Sequence, residues 1–251
     1  MSYMFFAGAV FIMTAGSCGG QQPMEIKEAT EIFWDDFDGN QRNFSTVSVT
    51  YSGVKSLEDV QGLSAAGFKG KFLRNSSPGN PAAPTTVILR GLPKHEAITI
   101  GFLLALIDSW DGTYGPERTA AGGAPNSTHA PDYFNVTIDG VSVFKETFFF
   151  RSAKAQTYDE SHGTLLSRDV DLGFNTLWKN SRNTPPIVPS DLAYDMNREP
   201  AFRDIPHTGN TLTISLFSSG SGWQGLGDES WGIDNLRIVV KPVTSRVPTV
   251  P

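Results

Sequence analysis

Polar and apolar positions alternate along this chain in short runs separated by Gly, Pro, Asn and Asp. That is the pattern of half-buried strands joined by turns, and helical periodicity is scarce. The runs predict strands over residues 30–37, 45–51, 85–90, 97–107, 133–138, 141–149, 164–172, 210–217 and 232–241. The clearest is Phe134-Asn-Val-Thr-Ile-Asp-Gly-Val-Ser-Val-Phe144, where two alternating stretches meet at Asp139-Gly140. This pair accepts the positive φ angles of a tight hairpin turn, and alternation sets Phe134, Val136 and Ile138 on one face of the first strand. The stretch Ile98-Thr-Ile-Gly-Phe-Leu-Leu-Ala-Leu-Ile107 is nearly all apolar; its β-branched start and Gly101 favour a central strand over a buried helix. Residues 111–131 and 175–209, rich in Gly or Pro, resist a strand reading and are expected to be long loops of the binding type. Within the second, Ser190-Asp-Leu-Ala-Tyr-Asp-Met196 predicts one helical turn capped by Ser190. The elements together predict an all-β fold, an antiparallel β-sandwich with long irregular loops. It is expected to be one domain over residues 30–242, followed by a frayed tail at 243–251.

Composition narrows this picture. The 251 residues are 18% charged and include 25 Gly and 16 Pro, as suits many strands and turns. The net charge of −6, without a basic run, has the wrong sign for neutralising phosphates, so nucleic acid is not an expected partner. Residues 1–17 have the outline of a signal peptide, with an apolar stretch followed by small residues. Ala15-Gly16-Ser17-Cys18 resembles a bacterial lipobox, which implies a lipidated Cys18, a tether over 18–29 and a place at the outer membrane or cell surface. Plain secretion and a cytosolic location are the alternatives. Cys18 is the only cysteine, so no disulfide can form within the chain and the core must hold the fold.

Candidate chemistry gathers at the two ends of the sandwich sequence: Trp34-Asp-Asp-Phe-Asp-Gly39 and Gly227-Asp-Glu-Ser-Trp-Gly-Ile-Asp-Asn-Leu-Arg237. The first and last strands of a jelly roll commonly lie side by side, so these carboxylates are expected to converge. Hard cations such as Ca²⁺ take six to eight oxygen ligands of this kind. At these residues the chain resembles the concanavalin A-like and MAM-like jelly rolls of exported bacterial surface proteins. Asp36-Phe-Asp38 and Trp231-Gly-Ile-Asp-Asn-Leu-Arg-Ile238 match the ends of such domains. Leu106-Ile-Asp-Ser-Trp-Asp-Gly112 and Pro131-Asp-Tyr-Phe-Asn-Val-Thr-Ile-Asp-Gly-Val141 are similar to their middle. The resemblance implies a non-catalytic sandwich that binds glycan or an envelope protein, with a structural Ca²⁺ on Asp36, Asp38 and Asp234.

A second expected site lies around Asp108, Trp110, Asp111 and Tyr114. With Trp178 and Trp223, these aromatics would stack on sugar faces while carboxylates read hydroxyls. The competing readings are that the rings plug the ends of the sandwich, or that Asp108, Asp111 and Asp132 hold a second metal. A carbohydrate-active enzyme and a structural subunit of an envelope assembly are the rival functions. No alternating Glu-x-Asp-x-Glu strand is present, and Gln156-Thr-Tyr-Asp-Glu-Ser-His162 is the one segment offering a lyase's residue types together. His95, His129, His162 and His207 show no close metal-ligand spacing.

Overall fold

A computed structural model describes residues 25–62, 67–113, 131–150, 153–174 and 191–243. The alternating runs form β1 (Thr30–Asp35), β2 (Gln41–Asn43), β3 (Ser48–Gly53), β4 (Ser56–Asp59), β5 (Lys71–Asn75), β6 (Thr85–Arg90) and β7 (Ala97–Asp108). They continue with β8 (Tyr133–Ile138), β9 (Val141–Thr147), β10 (Thr164–Val170), β11 (Asp191–Asp195), β12 (Ile205–Pro206), β13 (Thr211–Ser219) and β14 (Glu229–Lys241). Among the described residues the helical parts are 3-10 turns, such as Pro200–Phe202. Two antiparallel sheets result, packed as a jelly-roll sandwich. The larger runs β10-β11-β7-β14-β1-β2, with β5 also on β14, β4 on β5 and β12 on β7; the smaller runs β3-β6-β13-β8-β9.

The main core fills the space between the sheets. Ile98, Ile100, Phe102, Leu104 and Leu106 of β7 and Ile238 and Val240 of β14 face Val87, Leu89, Val136, Ile214 and Leu216 of the smaller sheet, all essentially buried. The all-apolar character of β7 has a further cause. Its Ala105 and Ile107 point the other way into a second cluster with Phe68, Phe72, Val170, Leu172 and Ala193, so half of this strand is covered on both faces. Gly232 of β14 belongs to the same arrangement, since a Cβ there would stand 2.5 Å from the Phe72 ring.

Strand β14 is the hinge of the design. It pairs with β7 along its length, while its other edge pairs with β5 at Trp231–Ile233 and then with β1 at Leu236–Val240. Between these partners the register slips at Asn235, whose φ is +52°. The bulge re-phases the strand, so that Trp231 and Ile233 before it and Leu236, Ile238 and Val240 after it all face the core.

Two expectations need correction. The segment Asp191–Asp195 is a strand, not a helical turn: Leu192, Ala193 and Tyr194 are buried between β10 and β7, and burial on both faces overrides local helix signals. Packing also begins ahead of residue 30, with Ile26 buried in the main core. Cys18 and residues 244–251 lie outside the described residues.

Candidate binding cleft

The outer face of the larger sheet is divided. Its upper half is roofed by Phe68 and Phe72, whereas its lower half is open among the described residues, and there the alternation of β7 and β14 presents Thr99 and Gly101 beside Arg237, Val239 and Lys241. Register brings these together: Gly101 stands opposite Arg237 and Thr99 opposite Val239. The segment between β11 and β12 supplies one wall. Phe202 is its anchor, buried 5.2 Å from Phe102 and 5.1 Å from Phe144 between ring centres, and the Met196 amide donates to Phe102 O at 3.0 Å. This pins the 3-10 turn and places Asn197, Arg203 and Asp204 over the sheet.

The enclosed volume is about 230 Å³. Its floor needs a glycine, because a Cβ at Gly101 would meet Asn197 Oδ1 at 2.0 Å. Asn197 is held by its backbone amide and its Nδ2, which donate to Asp195 Oδ1 at 2.8 and 2.6 Å. Arg237 pairs with Glu31 at 3.1 Å, Lys241 pairs with Asp204, and Thr99 Oγ1 accepts from the Asp204 amide at 3.2 Å. The Lys241 hydrogen bond, reinforced by the charges of Lys241 and Arg203, holds the Asp204 carboxyl below its usual range, so it stays ionised. Hydroxyl, amide, guanidinium and ammonium groups thus converge on one preformed, polar surface.

The residues expected to form sites fall elsewhere. Trp110 is fully buried, its Nε1 donating to Ser230 O at 2.9 Å and its ring 5.4 Å from that of Trp223. Trp223 is 6% exposed and donates to Ser77 O. Both rings plug the end of the sandwich instead of offering a platform, because a large ring with a satisfied N–H is more stable inside than in a loop. Asp108 is buried, with φ +68°, and its amide donates to Asp191 Oδ1 at 3.0 Å. Asp111 bridges to Phe149, and its amide donates to Asp132 Oδ2 at 2.8 Å. Tyr114 and Trp178 lie outside the described residues.

The pairing of β1 with β14 does bring Asp36, Asp38 and Asp234 near one another, as the ends of the sequence suggested. Burial pushes the Asp234 carboxyl up to about 7, with the Asp38 and Asp36 charges adding to the shift. Backbone amides already use part of the acceptor capacity of these carboxylates. Asp36 Oδ1 accepts from the Asp38 and Asn40 amides, Asp38 Oδ1 from the Lys71 amide at 2.7 Å, and Asp234 Oδ1 from the Asn235 amide at 2.6 Å. Among the described residues no three Asp, Glu, His or Cys side chains are gathered as a metal's ligand set.

One arrangement escaped the sequence altogether. His95 and His207, 112 positions apart, lie with Nε2 and Nδ1 separated by 2.6 Å; His95 Nδ1 faces Pro93 O at 2.7 Å and His207 Nε2 faces Asp139 Oδ2 at 3.0 Å. No local spacing signals such a pair, which exists only because β12 docks on the start of β7.

No protein-family model matches the sequence, and no curated protein is significantly similar to it. Among solved structures the chain is similar to the family 11 carbohydrate-binding module of Clostridium thermocellum in complex with a β-1,3-1,4-mixed-linked tetrasaccharide. The likeness spans 86% of this chain and 98% of that one at 11% identity, with a TM-score of 0.27.

Proposed function

We propose that this protein is a non-catalytic glycan-binding module displayed at the cell surface through a lipid anchor at Cys18, and that it binds in the open cleft of the larger sheet. The observation that carries the reading is the cleft itself: a rigid floor of two paired strands, a wall pinned by Phe202, and convergent hydrogen-bonding groups. Sugars present rings of hydroxyls, and Asn197, Thr99 and the Arg203 and Arg237 guanidinia offer donors and acceptors to match them. Hydrolysis at this place would need two carboxylates across the scissile bond. Among the described residues the cleft lining contains one, Asp204.

Isothermal titration of the purified domain against a polysaccharide panel tests this. Some glycan binds, and N197A combined with T99A weakens that binding about tenfold or more, the loss of one or two hydrogen bonds left without a partner. Binding untouched by this pair of substitutions would move the site away from the cleft.

A further inference from the structure

Resting on that reading, the cleft's charge balance specifies the ligand further: we infer that it takes an acidic glycan, in which a uronate carboxylate or a sulfate group sits among Arg203, Arg237 and Lys241. The chain as a whole is anionic, at −6, yet these three cations meet one carboxylate within a volume of about 230 Å³. Outside the lining, Glu31 pairs with Arg237, but Arg42 also lies 3.5 Å from Glu31 and shares its charge. Arg203 adds a cation beyond the Arg237–Glu31 and Lys241–Asp204 pairs, so the lining is locally positive against the sign of the molecule. A local cationic site on an anionic protein favours an anionic group of the ligand at that place.

Geometry agrees with charge. Arg237 rises from the sheet floor opposite Gly101, whose missing side chain makes way for Asn197 beside it. Arg203 is exposed on the opposing wall, so two planar donor forks flank the cavity, and such forks match carboxylate and sulfate oxygens. The volume lies below the roughly 300–1,000 Å³ of pockets for drug-sized ligands, which suits about one charged ring. Asp204 is the counter-charge. Held ionised by Lys241, it keeps the empty cleft from being wholly cationic, and an entering anion competes with it for Lys241.

Titration calorimetry with oligogalacturonate, a sulfated galactan oligomer and neutral cello-oligosaccharides decides the matter. One of the acidic ligands binds at least about tenfold more tightly than the neutral one at low salt. Its advantage shrinks several-fold at 0.5 M NaCl, since exposed charges are screened. R203A weakens acidic binding about fivefold or more without changing the melting temperature. D204N tightens it by a similar factor, and the φ of +55° at this position suits Asn as well as Asp. Which acidic ligand binds separates carboxylate from sulfate recognition. Neutral binding of equal strength, insensitive to salt and to D204N, overturns the acidic assignment while leaving the glycan site standing. Absence of any glycan binding overturns both.

Discussion

The His95–His207 pair shows how far single contacts constrain protonation. Pro93 O and the Asp139 carboxylate are both acceptors, so the outer nitrogens, His95 Nδ1 and His207 Nε2, must each carry a proton. The 2.6 Å contact between the rings needs one more. His95 is buried, and desolvation first disfavours its protonation. In D139N an Asn amide donates to His207 Nε2, every contact survives with one proton fewer, and the hairpin keeps its turn because Asn tolerates the φ of +48°. Nitrogen NMR should therefore find a proton on His207 Nε2 in the natural protein and none on that nitrogen in D139N. A proton there in the variant would refute the proton count.

At the scale of elements, the carboxylates around β14 make stability depend on pH. Burial raises Glu229 to about 8, with the charges of Asp132 and Asp228 adding to the shift; Asp132 is raised to about 7, also chiefly by burial, and Asp234 to about 7. Their usual values are 4.5, 3.8 and 3.8. Each binds its proton more tightly folded than unfolded, so the stability it contributes is complete in acid below the usual value and is lost as pH rises through about 7 to 8. Thermal unfolding should accordingly show a melting temperature several degrees higher at pH 5 than at pH 8.5, and E229Q should flatten that difference. A flat profile in the natural protein would mean these groups are ionised throughout. The same element gives calcium its test. A cation that binds only the folded state at Asp36, Asp38 and Asp234 raises the melting temperature. Melting curves that coincide in millimolar calcium and in chelator would discard the site the sequence suggested, and a calcium-dependent rise would support it.

Across the whole molecule, legibility followed the range of the determining forces. The strands 85–90 and 133–138 were readable to the residue because strict alternation faces a single core. Short strands without alternation, such as Lys71–Asn75 and Asp191–Asp195, were not: each is specified by neighbours far along the chain. The convergence of the acidic ends was legible from jelly-roll topology, whereas the fate of Trp110 and Trp223 was not, since the same aromatic in a turn-rich segment serves as platform or plug according to what covers it. The cleft left a faint trace, the alternating Arg237-x-Val239-x-Lys241 and the small or polar Thr99 and Gly101. Only the register between β7 and β14 gives those traces a common surface.

The division of the β14 edge between β5 and β1 also governs the order in which the protein can form. Strand β1 has β14 as its principal partner, and the intervening chain is made before that partner exists. A first strand that must wait for β14 leaves the growing chain without its finished larger sheet until β14 has been made, a topology of high contact order that closes slowly.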